Sequence, residues 1–220
     1  MDELIVSLTS GISTILLLFC RRKQYDISWK QVIIILLVVG GVGYFGAIFG
    51  SWLSYGSWRG IRFYGKALFV TFTLIGLAKL FKKESTAITD YYGPVDILAL
   101  VIMKINCYMT GCCAGIDLYV NDQGERITFP SQIAELLVAA ALFALIIILE
   151  KKKKCNGYRY YLYLLIYGIT RFIFDYFRVT PSNKIFLMGA PITVTQIFCA
   201  ILMVVGIIGI YHVVRKNQNL

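Results

Sequence analysis

Tyr167, Arg171, Asp175 and Arg178 recur at spacings of four, four and three residues, so a helix would carry them as one stripe along one face. A guanidinium on such a stripe could hold a phosphate through paired hydrogen bonds, with Asp175 and Tyr167 fixing the orientation of Arg171. The same spacing also allows an Arg171 to Asp175 ion pair that only locks helices together. Lys104 and Glu135 are two further charges in apolar surroundings. Each charge of this kind costs about 2.5 to 3.5 kcal/mol at a helix centre on insertion scales, and so marks a partnered or functional position. Glu135 follows Phe129, Pro130, Ser131 and Gln132, and proline in a first turn is a helix-start device. The carboxylate then sits one turn inside, near the positive end of the helix dipole. It is a helix-start acid, the counter-ion of Lys104 or Arg171, or a proton acceptor. Cys112 and Cys113 follow Gly111. A thiol nucleophile there needs exposure and an electropositive setting, and tight packing beside Gly115 is the alternative.

The elements that must position these residues are membrane helices. Of 220 residues, 58% are hydrophobic and 15% charged, against about 25% charged in a soluble domain. Apolar runs approach or exceed the roughly 17 to 25 residues that span hydrocarbon. The pattern predicts an all-α bundle of about seven transmembrane helices over 4–20, 32–52, 63–81, 95–110, 131–149, 158–178 and 192–214, forming a single transmembrane domain. The fourth is expected to be short and less apolar, carrying Asp96, Lys104 and Asn106.

A net charge of +10 could point to nucleic acid, but its distribution points to a bilayer instead. Basic residues cluster at Arg21, Arg22, Lys23 and Lys30, at Lys79, Lys82 and Lys83, at Lys151, Lys152, Lys153, Lys154 and Arg159, and at Arg215 and Lys216. These are alternate connections plus the C-terminus. The positive-inside rule puts them in the cytoplasm, leaving the N-terminus outside and the C-terminus inside. Asp2 and Glu3 precede the first segment where a cleaved signal would carry basic residues, so that segment reads as retained. The connections 53–62, 111–130 and 179–191 then face outward, the middle one polar and turn-rich. Gly40, Gly41, Gly43, Gly46 and Gly50 of the second helix suit close helix packing. Six scattered cysteines form neither a disulfide framework nor a zinc pattern with evident ligand partners.

Read together, three segments resemble the prolipoprotein diacylglyceryl transferase family. The stretch from Met103 through Lys104, Cys107 and Gly111 to Gly115 is similar to the family signature of an arginine, an asparagine and a glycine-containing turn. Pro130-Ser131-Gln132-Ile133-Ala134-Glu135 is similar to its proline-serine-glutamine-x-x-glutamate segment. The stretch from Tyr167-Gly168 through Arg171-Phe172 to Asp175 and Arg178 resembles its tyrosine-glycine-x-x-arginine-phenylalanine segment ending in an acid and an arginine. The departures are Lys104 for the signature arginine, Cys107 for its asparagine, Tyr64-Gly65-Lys66 for a histidine-glycine-glycine element, and Ala47 where an arginine is usual.

The resemblance implies a bacterial inner-membrane enzyme that moves diacylglyceryl from phosphatidylglycerol to the thiol of a prolipoprotein lipobox cysteine, with no metal, cofactor or nucleic acid. It implies catalytic or substrate-holding roles for Arg171, Tyr167, Asp175 and Glu135. Substrate contacts would come from Lys104, Tyr64, Cys107, Gly111, Arg178 and Gln132. The altered histidine and arginine positions leave a second expectation, a phospholipid-binding or transport protein without transferase chemistry. A thiol-redox protein using Cys112 and Cys113 is a third.

Overall fold

A computed structural model describes residues 3–58, 60–179, 184–187 and 190–218, without the side chains of 3–8, 184–187 and 190–191. Asp2, and residues 180–183 and 188–189 of the third outward connection, lie outside the described residues. Seven helices are described: α1 (Glu3–Arg21), α2 (Trp29–Tyr55), α3 (Phe63–Leu80), α4 (Ser85–Met109), α5 (Ser131–Lys151), α6 (Arg159–Asp175) and α7 (Val194–Gln218). Five of them, α2, α3, α4, α5 and α7, are long and apolar enough to cross a membrane. Their outward faces carry Leu37, Phe45, Phe72, Leu80, Leu137 and Ile208, all exposed. The chain is a multi-pass helical membrane bundle.

Helices α2 and α3 approach closely through glycine. A Cβ on Gly65 would lie 2.3 Å from the Gly46 carbonyl oxygen, and one on Gly46 would lie 2.7 Å from Phe69 Cβ. Gly43 and Gly50 also face α3, whereas Gly40 and Gly41 have nothing within 4 Å of an added Cβ. This contact seats Tyr64 at the start of α3, where its hydroxyl is 2.6 Å from Ser54 Oγ and 3.3 Å from Thr195 Oγ1.

The fourth helix is not short: it has 25 residues and begins ten positions before the expected start. Its first half holds Asp90, Gly93 and Pro94, which argue against a helix in the sequence but are buried against partners in the fold. Proline lacks an amide hydrogen and obstructs the carbonyl four residues earlier. Here that carbonyl, on Asp90, accepts a hydrogen bond from Arg21 Nη2 at 3.1 Å, and the Tyr91 carbonyl accepts one from Arg21 Nε at 3.2 Å. The Asp90 carboxylate meanwhile accepts from the amides of Gly157 and Tyr160 at 2.7 and 3.0 Å and pairs with Arg159 Nε at 3.0 Å. Tertiary partners thus satisfy the groups that proline and a buried acid would otherwise leave open.

This network lies at one end of the bundle, where Arg21 also pairs with Glu150, Lys83 with Asp26 and Lys216 with Glu84. The expected basic clusters therefore gather at a single end, which the positive-inside rule assigns to the cytoplasm. At the other end, two small hairpins interrupt the all-α expectation. Strands β1 (Asp117–Val120) and β2 (Arg126–Thr128) pair antiparallel, as do β3 (Lys184–Leu187) and β4 (Ala190–Thr193). The Asn121 side-chain oxygen accepts from the amides of Gln123 and Glu125, closing the β1–β2 turn in which Gly124 has φ +80°.

Candidate functional site

Glu135 is the hub of a buried charge cluster. One carboxylate oxygen receives Lys104 Nζ of α4; the other faces Arg171 Nη1 of α6 at 3.5 Å and Arg178 Nε at 3.2 Å. The Arg178 approach is not aligned as a hydrogen bond, so its Nε has no hydrogen-bonding partner among the described residues. Helix α6 ends at Asp175, so Arg178 does not continue the expected stripe on a helix; it belongs to the following segment, where it bridges to Gly115. That turn still brings its guanidinium to Glu135.

Arg171 Nη2 lies 3.4 Å from Asp175 Oδ1. Both Arg171 contacts are long beside the 2.7 to 2.9 Å typical of charge-assisted hydrogen bonds. Asp175 also accepts from the Thr193 hydroxyl. Thr193 in turn caps α7, its hydroxyl accepting from the Gln196 amide at 3.1 Å and its amide donating to Gln196 Oε1 at 3.0 Å. Tyr167 is buried edge-on to the Phe63 ring, with centroids 5.3 Å apart.

The start of α5 also organises the loop after α4. Ser131 Oγ donates to the Cys113 carbonyl at 2.6 Å and Gln132 Nε2 to the Cys112 carbonyl at 2.9 Å. Gly111 and Cys113 both have φ +66°. A Cβ on Gly115 would lie 2.0 Å from the Phe129 carbonyl oxygen, so Gly115 packs on backbone rather than on the cysteines. The sulfurs of Cys107, Cys112 and Cys113 lie within 4.8 Å of one another, with Cys107 and Cys113 4.0 Å apart. The Cys107 thiol beside it, with the charges of Arg178 and Lys104, holds the Cys113 thiol below its ordinary value.

Two openings reach the cluster. A groove between α4, α5 and α6, lined by Leu100, Ala139, Leu142 and Phe174, ends at Lys104, Glu135 and Arg171. On the other side, a small cavity is lined by Arg62, Tyr64, Lys104, Cys107, Arg171 and Arg178, among others. It continues through Arg62, Met103, Cys107 and Cys113 into an open cleft beside Ser10 of α1, Gly60 and Cys112.

A family model described as prolipoprotein diacylglyceryl transferase matches residues 4–212. The chain belongs to that family. Its relatives include the phosphatidylglycerol–prolipoprotein diacylglyceryl transferase of Idiomarina loihiensis, 27% identical over 156 aligned positions, covering 68% of this chain and 58% of that protein. The enzyme of the same name from Legionella pneumophila strain Lens is 26% identical over 222 aligned positions, covering 89% of this chain and 86% of that protein. That from Pseudomonas paraeruginosa is 24% identical over 221 positions, covering 90% and 83%.

Within this diacylglyceryl transferase fold, Lys104, Tyr64, Cys107, Tyr167, Arg171 and Arg178 line one cavity, and Glu135 and Asp175 touch its cations. Gln132 and Gly111 stand apart from it: Gln132 holds the cysteine loop, and Gly111 supplies its left-handed turn. Sequence reasoning missed Arg62, whose guanidinium lies 4.2 Å over the Tyr55 ring and whose buried Nε has no hydrogen-bonding partner among the described residues. Its place at the end of an outward loop concealed it. The family's usual arginine position is Ala47, and the Arg62 amide donates to the Ala47 carbonyl at 3.1 Å.

Proposed function

We propose that the cavity around Arg171, Lys104 and Arg178 holds the phosphate of a phosphatidylglycerol donor, and that this bacterial inner-membrane transferase passes its diacylglyceryl group to a prolipoprotein lipobox thiol. Residues 1–220 would act as one transmembrane domain. The observation that carries the reading is the charge imbalance of the buried cluster. Three cations, Lys104, Arg171 and Arg178, share two carboxylates, Glu135 and Asp175. One positive charge is left over, and Arg62 adds another along the same cavity. A phosphodiester supplies the missing negative charge. The long Arg171 contacts leave its guanidinium fork free to turn toward it.

Acyl chains would lie in the apolar groove by Leu100, Ala139, Leu142 and Phe174, and the acceptor would enter past Gly60 and Cys112. The acceptor thiolate attacks the diacylglyceryl carbon bonded to the phosphate oxygen; that carbon–oxygen bond breaks and glycerol phosphate leaves with the electron pair. Phosphate charge rises in the transition state, where fixed cations act most strongly. Family membership and the relatives' names support transfer over lipid binding alone.

Incubation of the purified protein with phosphatidylglycerol and a lipobox peptide tests this. The expected result is a diacylglyceryl-peptide and an equal amount of glycerol phosphate by mass analysis, both absent for Arg171→Ala. Absence of adduct from the unaltered protein, or undiminished adduct from Arg171→Ala, overturns it.

A further inference from the structure

The proposed reaction needs an acceptor thiolate, and the family histidine position is Tyr64, whose hydroxyl is engaged by Ser54 and Thr195. Both carboxylates of the cluster are held by cations. The sulfurs of Cys107 and Cys113 line the same cavity, and that of Cys112 stands beside them in the adjoining cleft. We propose that Cys107, Cys112 and Cys113 bind one zinc ion, whose open fourth position takes the acceptor thiol as thiolate. The inference rests on the transferase reading above.

The geometry suits the ion. Zinc–sulfur bonds of about 2.3 Å put tetrahedral or trigonal thiolates roughly 3.8 to 4.0 Å apart. Cys107 and Cys113 are already 4.0 Å apart, and all three sulfurs lie within 4.8 Å without an ion. The scaffold is built rather than loose. Cys107 sits one helical turn beyond Lys104 on the same face of α4. The left-handed Cys113 swings its side chain back toward α4, and Ser131 and Gln132 pin the carbonyls of Cys113 and Cys112.

Three protein ligands with an open position are the pattern of a reactive zinc, whereas structural sites are closed by four. Three thiolates and a fourth from the acceptor make the zinc complex doubly negative. Arg62, which lines the cavity with Cys107 and Cys113 and is not among the cations held by the two carboxylates, supplies part of the counter-charge.

A thiol that coordinates zinc gives up its proton, here to solvent through the open cleft. The bound sulfur keeps a lone pair for the diacylglyceryl carbon. Carbon–sulfur bond formation and carbon–oxygen cleavage then release glycerol phosphate. The thioether product is a weak ligand and leaves the metal.

The test uses the full chain with its cysteines reduced, stripped of metal and then given Co(II) or Zn(II). One Co(II) per chain with a sulfur-to-cobalt charge-transfer band is expected. A lipobox peptide should shift the cobalt d–d bands, and the same peptide with serine for cysteine should not. Metal-free protein and a C107S/C112S/C113S variant should lose transfer by on the order of 100-fold, and the metal-free protein should retain phospholipid unchanged in native mass spectrometry. Cys112→His, which keeps a ligand, should retain cobalt. Full-rate transfer by the metal-free protein or the triple variant overturns the proposal, as does failure to bind cobalt stoichiometrically. If metal and peptide thiol bind but no adduct forms, the transferase reading fails and the metal site stands. Arg171→Ala should keep the cobalt spectrum and its peptide response while losing transfer.

Discussion

Arg178 Nε lies 3.2 Å from Glu135 Oε1, although Arg178 stands three residues beyond the end of α6 and Glu135 lies one turn inside α5. The segment leaving α6 is therefore anchored to α5 by charge, and its backbone is joined to the cysteine loop, with the Val179 amide donating to the Ala114 carbonyl at 3.2 Å. Glu135 thus holds α4, α6 and the post-α6 segment together while setting how much positive charge remains for a ligand.

Removing that carboxylate leaves Lys104, Arg171 and Arg178 facing one another with only Asp175 nearby. Breaking a buried pair from one side costs about 3 to 5 kcal/mol. Glu135→Ala should lower stability by about that amount in thermal or denaturant unfolding in detergent. Adding Lys104→Met should recover part of the loss without recovering transfer, because the phosphate would have lost a cation.

Lys104 meets a phosphate as a point charge, whereas Arg171 can present a planar fork. Lys104→Arg should therefore keep transfer and lower KM for phosphatidylglycerol. Arg171→Lys should lower kcat by about 10- to 100-fold, short of the alanine variant's loss, because charge survives but paired hydrogen bonding does not. Steady-state kinetics of both variants check the asymmetry; equal effects at the two positions would contradict the roles assigned.

Thr193 serves Asp175 and α7 together. Thr193→Val removes the hydroxyl at nearly constant volume. It should cost about 1 to 2 kcal/mol as a lost cap and free Asp175 to pair more closely with Arg171. The expected kinetic result is a higher KM for phosphatidylglycerol, whereas Thr193→Ser should restore the unaltered value.

The spans and the charged residues could be read from the sequence because both follow from local chemistry. Apolar runs reveal five long helices, and spacings of four mark Tyr167, Arg171 and Asp175 as one face. What could not be read depended on distant partners. The first half of α4 exists because Arg21 of α1 and Arg159 of α6 satisfy Asp90 and the carbonyl displaced by Pro94. Arg178 leaves the helix yet rejoins the cluster, which no periodicity predicts. The cysteines converge through two left-handed turns and the grip of α5 rather than through a ligand spacing.

Gly115 tests how tightly that loop is held. An added methyl would meet the Phe129 carbonyl at 2.0 Å, and neither side can yield easily, because the Phe129 amide donates to the Ile116 carbonyl at 2.9 Å and Pro130 opens α5 immediately after. Gly115→Ala should separate the loop from the start of α5, breaking the Ser131 and Gln132 contacts to the cysteine carbonyls. Faster hydrogen exchange at Ile116 and Phe129 is expected, with a transfer rate lowered even though no charged group has changed. Gly76→Ala is the control: it has nothing within 4 Å of its added Cβ, so it should leave both exchange and transfer unaltered. An exchange pattern for Gly115→Ala matching the unaltered protein would mean that the loop adapts, and that the grip of α5 does not hold the cysteines together.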